Sequence, residues 1–492
     1  MVRTRSSLSV MLALALLPVL SGCSGDDMDE TAVAIVGEPR ELQESGVRLS
    51  DGGRMVRAAT AEGLVAFDSE GRVVPALADR WIVTDDGLSY IFRLREGLAA
   101  GGSPMTGERA RDGLKQTLAS LRGTPLALDL DAITEVRAMT GRVLEVRLSH
   151  PVPHLLDLLA QPELALLDRG RGIGPFAAAR VKGALVLKPV APEKRGLPEI
   201  PDWKATIRSL RLTALSAGKA TEAFGDGKTD IVLGGDMANY ADARAVSGIS
   251  QRHLRIDPVS GLFGLVVTSG DGLLAKPELR EALAMAIDRD ALANDLAIPG
   301  WTPTSRLIPS GVTDAAAGIG ERWTNQDMAQ RRTTAAQRLA KWTKSGPAPV
   351  LRIALPNGAG GDVLFRRLSA DLQAVGLSAR RVGLEAPADL RLVDLVARYA
   401  RADWYLNQFA CAAGRSLCST VADMRAADAR SSTDAAKRAE LLSEAEAQLT
   451  LANSYIPLGN PIRWSLVRDP QPGFAVNARG FHPLSSLALR PK

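Results

Sequence analysis

Aromatic residues and histidines are scarce in this chain of 492 residues. Phe, Trp and Tyr together make up 4% of it, and there are four histidines. A nucleic-acid-binding surface needs a basic stripe with aromatic side chains for base stacking, whereas Lys and Arg are scattered here. Only His150 and His154 lie at close spacing, and the neighbouring prolines favour a surface loop over a metal site. The composition therefore excludes nucleic-acid binding and gives no support to a bound metal.

Catalytic motifs are also missing. The sequence contains no Gly-x-Ser-x-Gly nucleophile elbow, no Gly-x-x-x-x-Gly-Lys phosphate loop and no His-Glu-x-x-His metalloprotease motif. An enzyme would need such a nucleophile, a pair of carboxylates or a metal cluster. We therefore expect no enzymatic activity and no cofactor.

Long apolar runs are limited to one, between Leu8 and Leu20. Arg3 and Arg5 precede it and Gly22-Cys23 follows it, which is the layout of an export signal. The run is shorter than the roughly 20 apolar residues that a membrane-spanning helix needs. We predict a signal peptide over residues 1–22, lipid on Cys23 and a polar tether over 23–30, rather than the alternative of an internal hydrophobic helix. The mature protein would then be lipid-anchored to a membrane in the periplasm or cell envelope.

Cysteine is rare, with three residues in the whole chain. If lipid occupies Cys23, then Cys411 and Cys418 remain as a pair in an oxidising compartment. We predict a disulfide between them, and two free buried thiols are the alternative.

Secondary-structure signals alternate along the rest of the chain, which is long enough for two or three domains. Leu88–Arg95 alternates with period two, as expected of a strand with one buried face. Thr106 is placed to cap a helix that reaches Leu121, and Glu278–Leu296 has apolar residues at helical spacing. This pattern predicts α/β domains with mixed sheets.

Three sequence segments in fixed order carry a family resemblance, and four later segments continue it. The first three are Glu62–Asp68, Pro75–Trp81 and Asp86–Gly97. The later ones are Ser103–Thr106, Gly174–Phe176, Gly227–Ile231 and Leu279–Leu292. In this order they resemble the family 5 extracellular solute-binding proteins, the substrate-binding lipoproteins of peptide- and nickel-type ABC importers. The resemblance covers nearly the whole mature chain.

The resemblance implies a periplasmic-binding-protein-like type II clamp of the α/β class, with two lobes and an inserted subdomain. Its ranges would be 31–56, 170–257 and 464–492 for lobe I, 57–169 for the inserted subdomain and 258–463 for lobe II. It implies a monomer that captures a small solute, peptide-like by default, and delivers it to an ABC permease in the inner membrane. The alternative is a family member that has left transport and acts as an envelope lipoprotein in sensing or protein binding.

Candidate ligand-binding residues follow from their positions in the implied second lobe. They are Trp301, Asp394, Trp404, Tyr405 and Asn407. Aromatic faces can cover apolar side chains, and Asp394 could hold a cationic amine. Peptide-binding relatives usually carry an acid shortly after a tryptophan in this lobe, whereas the stretch from Trp404 to Cys411 contains none. This departure puts the usual peptide ligand in doubt.

Overall fold

The computed structural model describes residues 30–97, 104–168, 170–245, 250–312, 319–343 and 349–491. The predicted signal peptide, the lipid attachment at Cys23 and the tether up to residue 29 lie outside these residues. Within the described ranges, no helix combines the length and the apolar character needed to cross a membrane.

In the ranges that the structure describes, twenty strands form the sheets, and most of them are short. In chain order they are β1 Glu30–Val36, β2 Val65–Phe67, β3 Val73–Pro75, β4 Ala78–Val83, β5 Ser89–Leu94, β6 Ile133–Ala138, β7 Val143–Leu148, β8 Leu167–Asp168, β9 Arg171–Gly172, β10 Phe176–Val181, β11 Ala184–Pro189, β12 Ser209–Leu215, β13 Ile231–Gly235, β14 Leu254–Asp257, β15 Gly261–Val267, β16 Val350–Ala354, β17 Ser378–Val382, β18 Leu390–Val396, β19 Tyr455–Gly459 and β20 Arg463–Val467.

Fifteen α-helices connect these strands in the described part of the chain. They are α1 Asp51–Thr60, α2 Gly107–Ser120, α3 Pro125–Asp129, α4 Leu155–Leu159, α5 Trp203–Thr206, α6 Ala217–Gly225, α7 Tyr240–Ala245, α8 Pro277–Ala286, α9 Arg289–Leu296, α10 Met328–Thr343, α11 Ala359–Gln373, α12 Ala402–Asn407, α13 Thr420–Ser431, α14 Ala435–Ala452 and α15 Leu484–Leu487.

Three large sheets define three parts of the molecule. The seven-stranded sheet has the order β10-β11-β12-β1-β13-β20-β14, and we call it with its helices the first lobe. The five-stranded sheet β17-β16-β18-β15-β19 builds the second lobe, and the four-stranded sheet β4-β5-β7-β6 builds the insert. Parallel and antiparallel pairs occur together in both lobes. The predicted α/β class with mixed sheets is confirmed.

Hydrophobic patterning explains the contrast between the central strands and the insert. In β1, Val33, Ala34 and Ile35 are all buried, because this strand lies in the middle of its sheet and contributes Val33 and Ile35 to one hydrophobic cluster and Ala34 to another. In β5, Tyr90, Phe92 and Leu94 are buried while the residues between them are more exposed. One face of this antiparallel sheet therefore packs on the hydrophobic core, and the other face is closer to solvent.

The predicted helix from Glu278 to Leu296 is interrupted in the structure. Helix α8 ends at Ala286, Ile287 is extended with ψ 121°, and α9 starts after Asp288. The Asp288 carboxylate accepts a hydrogen bond from the Ala291 amide at 2.9 Å, and its own amide donates to Asp371 at 3.1 Å. An aspartate that caps a new helix competes with continuing the old one, which the apolar spacing does not reveal.

The chain passes between the two lobes at two connections. One joins β14 to β15 across residues 258–260, and the other joins β19 to β20 across 460–462. These positions lie close to the predicted lobe boundaries, whereas the predicted boundary after residue 56 falls inside helix α1. The division of the chain into three domains stays a prediction.

We expect Gly261→Ala to destabilise the fold by about 1–3 kcal/mol, the range for overpacking. A Cβ at Gly261 would overlap the carbonyl oxygen of Leu395 in the neighbouring strand, at the point where the chain enters the second lobe. Chemical unfolding measures the change. Gly218→Ala is the matched control. Gly218 lies in helix α6, and a Cβ at this position meets no atom within 4 Å. Equal stability of the two variants would contradict this account of Gly261.

Candidate functional site

A cavity of about 260 Å³ lies where the first lobe, the second lobe and the insert meet. The first lobe contributes helix α1 and residues 479–481, and the insert contributes residues 121–126 and Glu163. The second lobe contributes the end of β18, Trp404, Gln408 and Arg415. A larger cavity of about 750 Å³ is lined only by residues outside the second-lobe range 258–463, so movement of that lobe cannot close it. We therefore take the smaller one, called here the interlobe cavity, as the candidate ligand site.

Charged side chains dominate the wall of the interlobe cavity. Its lining includes six arginines, namely Arg48, Arg54, Arg398, Arg415, Arg463 and Arg479. It includes three carboxylates, namely Asp51, Glu163 and Asp394. Positive charges thus outnumber negative ones by three around the cavity.

Asp394 lies near the end of β18 and is paired with Arg463 at the start of β20. The Arg463 Nη1 atom donates to Asp394 Oδ1 at 2.7 Å, and Nη2 donates to the Asp394 carbonyl at 3.3 Å. Burial raises the pKa of Asp394, while the positive charge of Arg463 acts in the opposite direction. This pair links the two lobes next to one of the chain connections.

Glu163 of the insert lies between two arginines. Arg54 Nε lies 3.5 Å from Glu163 Oε1, and Arg398 Nη2 lies 3.3 Å from the same oxygen. Burial alone would raise the pKa of Glu163, but the charges of Arg54 and Arg398 outweigh it and the pKa lies below its ordinary value. One carboxylate thus joins a first-lobe cation and a second-lobe cation.

Trp404, Gln408 and Arg415 form a polar wall on the second-lobe side. Gln408 donates from Nε2 to the Trp404 carbonyl at 3.2 Å, and its Oε1 accepts from Arg415 at 3.4 Å. Arg415 makes no ion pair with a carboxylate among the described residues. Its pKa is lowered by burial and by the like charge of Arg398.

The structure places the five predicted ligand residues in three different settings. Asp394 and Trp404 line the interlobe cavity. Trp301 is buried in the second lobe, edge-on to Phe263, and its indole donates to the Asn460 carbonyl at 2.7 Å. Tyr405 is fully buried beside Trp404. Neither Trp301 nor Tyr405 borders the cavity, and in this structure both side chains pack in the protein interior.

Asn407, the fifth predicted residue, joins the second lobe to the insert. Its Nδ2 donates to Asp129 Oδ1 at 2.9 Å, and the Tyr399 hydroxyl donates to the same oxygen at 2.9 Å. Burial raises the pKa of Asp129 to about 6. Ligand binding by the five predicted residues stays a prediction.

The structure joins Cys411 and Cys418 by a disulfide, as the sequence suggests. Arg415 lies inside the closed loop, which therefore holds this cation at the cavity wall. In the described part of the chain, no group of three His, Cys, Asp or Glu side chains could hold a metal ion. His154 instead stacks on Tyr399 with 3.8 Å between ring centroids, and burial lowers its pKa to about 3.

The arginines of the cavity wall were missed by sequence reasoning. Arg54 lies far in the chain from Arg398 and Arg415, and none of the three belongs to a motif. The one available signal was the disulfide loop, because a loop tied down by Cys411 and Cys418 can hold Arg415 rigidly.

A family model and individual relatives match this chain. The family model for bacterial extracellular solute-binding proteins, family 5 (middle region), matches residues 72–410. The probable di/tripeptide-binding protein 5 of Pseudomonas aeruginosa (strain UCBPP-PA14) is 24% identical, covering 87% of this chain and 89% of that protein. The probable deoxycholate-binding periplasmic protein YgiS of Escherichia coli (strain K12) is 36% identical over 122 residues, but the match spans 23% of that protein and 21% of this chain.

A solved structure shows the same fold. The crystal structure of Haemophilus influenzae OppA in complex with RPPGFSPFR superposes with a TM-score of 0.79, covering 94% of this chain and 98% of that one. At 18% sequence identity this likeness establishes the fold alone. The predicted type II periplasmic-binding-protein clamp is confirmed.

Proposed function

Because the chain belongs to the family 5 bacterial extracellular solute-binding proteins, we propose that it captures a small solute in the interlobe cavity for an ABC permease. The observation that carries this proposal is the origin of the cavity wall, which combines residues of both lobes and the insert. A ligand in such a cavity stabilises the arrangement in which the lobes meet, and differential affinity for that arrangement drives closure. The relatives named above are binding proteins rather than enzymes, which supports a role without catalysis.

Three finer points belong to the same proposal. The lipid is attached to Cys23 after removal of residues 1–22, and the mature protein works as a monomer in the periplasm or cell envelope. The solute is peptide-like by default, as for the Pseudomonas relative named for di- and tripeptides. The small volume of the cavity, about 260 Å³, favours a small solute over a long peptide.

Native mass spectrometry of the protein beginning at Ser24 tests the proposal, before and after removal of bound molecules by denaturing dialysis. We expect a co-purifying solute that rebinds and raises the melting temperature. Leu49→Trp, which places a bulky ring at the cavity wall, should lose the solute. Ile200→Trp is the matched control, because Ile200 is exposed and lies outside the cavity.

An empty protein that binds no small solute, or a solute retained equally by Leu49→Trp and Ile200→Trp, would contradict solute capture in this cavity. The first result would favour the alternative of an envelope lipoprotein that has left transport.

A further inference from the structure

The charge around the interlobe cavity is unbalanced in a way that bears on its ligand. The acidic groups of the wall already have cationic partners: Asp394 contacts Arg463, and Glu163 contacts both Arg54 and Arg398. Asp51 is more exposed and lies 3.4 Å from Arg54. A cationic ligand group would have to displace an arginine from its carboxylate, so the wall offers no ready site for an amine.

Arg415, in contrast to these carboxylates, has no partner of opposite charge among the described residues. Its contact is with a neutral amide oxygen, that of Gln408, and it makes no ion pair within the described ranges. It is partly buried with another cation, Arg398, acting on it unfavourably. A bound anion would offset the free-energy cost of burying this charged guanidinium and would reduce the repulsion between the two arginines.

Unsatisfied hydrogen-bonding groups at the wall point in the same direction. Among the described residues lining the cavity, three buried nitrogen donors lack an acceptor, namely Arg398 Nε, Trp404 Nε1 and Arg415 Nε. A fourth, Arg54 Nε, makes no hydrogen bond and has only its 3.5 Å contact with Glu163 Oε1. One buried acceptor, Glu163 Oε2, lacks a donor. Trp404 is 1% exposed, so its indole N–H is a buried donor next to the cavity. A ligand that satisfies such a wall must supply mainly acceptors, and a carboxylate supplies acceptors with charge.

We propose that the interlobe cavity selects a small solute of net negative charge, held by its carboxylate at Arg415 and Trp404 and requiring no amine. The proposal rests on solute capture in this cavity and adds the chemical class of the solute. It replaces recognition of an amine at Asp394 with recognition of a carboxylate at Arg415 and Trp404. The disulfide loop from Cys411 to Cys418 positions Arg415 for this contact.

Three dipeptide probes of nearly equal size but different charge test the proposal by calorimetric titration of the solute-free protein. N-acetyl-alanyl-alanine carries a carboxylate and no amine, alanyl-alanine carries both, and alanyl-alanine amide carries an amine and no carboxylate. We expect the acetylated anion to bind at least as tightly as the zwitterion, and the amide not to bind.

Variants of Arg415 locate the contact. Arg415→Gln should weaken binding of the acetylated probe roughly ten- to hundredfold, the range expected for one charge-assisted hydrogen bond. Arg415→Lys, which keeps the charge, should recover part of the loss. Arg137→Gln is the matched control, because it makes the same charge change at an exposed position of β6 outside the cavity.

Tight binding of the amide, failure of the acetylated probe to bind, or an unchanged affinity in Arg415→Gln would overturn the carboxylate proposal. The solute identified by native mass spectrometry separates this failure from failure of the proposed function. A co-purified solute without an anionic group removes the carboxylate proposal and keeps solute capture. An empty protein that binds none of the probes removes both.

Discussion

Replacing Asp394 by alanine is expected to destabilise the protein by about 3–5 kcal/mol, the usual cost of leaving one member of a buried ion pair uncompensated. The Arg463 side chain is only 13% exposed, and its contact with Asp394 at 2.7 Å is its carboxylate hydrogen bond in the described structure. Without Asp394 the guanidinium stays desolvated at the junction of the two lobes, and the charges of Asp51 and Asp236, neither of which forms an ion pair with Arg463 in the described structure, compensate it only in part. Urea unfolding of the solute-free protein measures the loss.

The double variant Asp394→Leu with Arg463→Met separates the cost of an unpaired buried charge from the net contribution of the ion pair. Because it removes both ions, it should be more stable than Asp394→Ala and close to the wild type. Asp226→Ala provides a surface control, since its pair with Lys228 is largely exposed and should contribute little to stability. If Asp394→Ala is as stable as the wild type but no longer binds the solute, the ion-pair explanation is wrong and Asp394 contacts the ligand, as the sequence predicts.

Glu446→Gln is expected to stabilise the protein by roughly 3 kcal/mol at pH 8. Glu446 lies on helix α14, is 1% exposed, and burial raises its pKa from 4.5 to about 7. One pKa unit corresponds to about 1.4 kcal/mol, which gives the size of the effect. Glutamine keeps an oxygen that accepts from the Ile308 amide, the contact that Glu446 makes at 3.3 Å.

The sign of the pH dependence follows from the raised pKa. The folded wild type keeps its proton on Glu446 at pH values where the unfolded chain has lost it, so the wild type loses stability as the pH rises from about 4.5 to 7. The two proteins should therefore be equally stable below pH 4.5 and diverge up to about pH 7. Unfolding curves across this range measure the difference. Glu440→Gln, at an exposed position of the same helix, should follow the wild type; a parallel divergence there would contradict the explanation by burial.

The sequence predicted the parts of the fold that depend on local pattern. Thr106 was expected to cap a helix, and its hydroxyl does accept from the Arg109 amide at 3.4 Å at the start of α2. The break between α8 and α9 was not predicted, because the apolar spacing continues through Asp288 while the capping contact that interrupts the helix is polar. Periodicity reports which face is buried and does not report where a side chain competes with the backbone.

The candidate site was harder to predict for a different reason. Position in the implied second lobe makes Trp301 and Asp394 ligand candidates, yet each has a protein partner, the Asn460 carbonyl and Arg463 respectively. Only its place between Cys411 and Cys418 distinguishes Arg415 from the other scattered arginines, and that place does not reveal that Arg415 borders a cavity. Only the folded chain shows which charges are already neutralised, because the partners lie between 69 and 235 residues apart in the sequence.

The contacts of Asp129 and Glu163 with the second lobe involve protein groups alone. These contacts favour the arrangement in which the insert and the second lobe meet, and they do not require a solute. Moving a two-state protein from 1:99 to 99:1 takes about 5.5 kcal/mol of differential binding, and a prior bias lowers what the solute must supply. Such a protein binds its solute more tightly. Its outer shape, however, differs less between the loaded and the empty form, so a permease has a smaller structural difference to recognise. Discrimination between loaded and empty protein would then depend on the charge enclosed in the cavity rather than on closure.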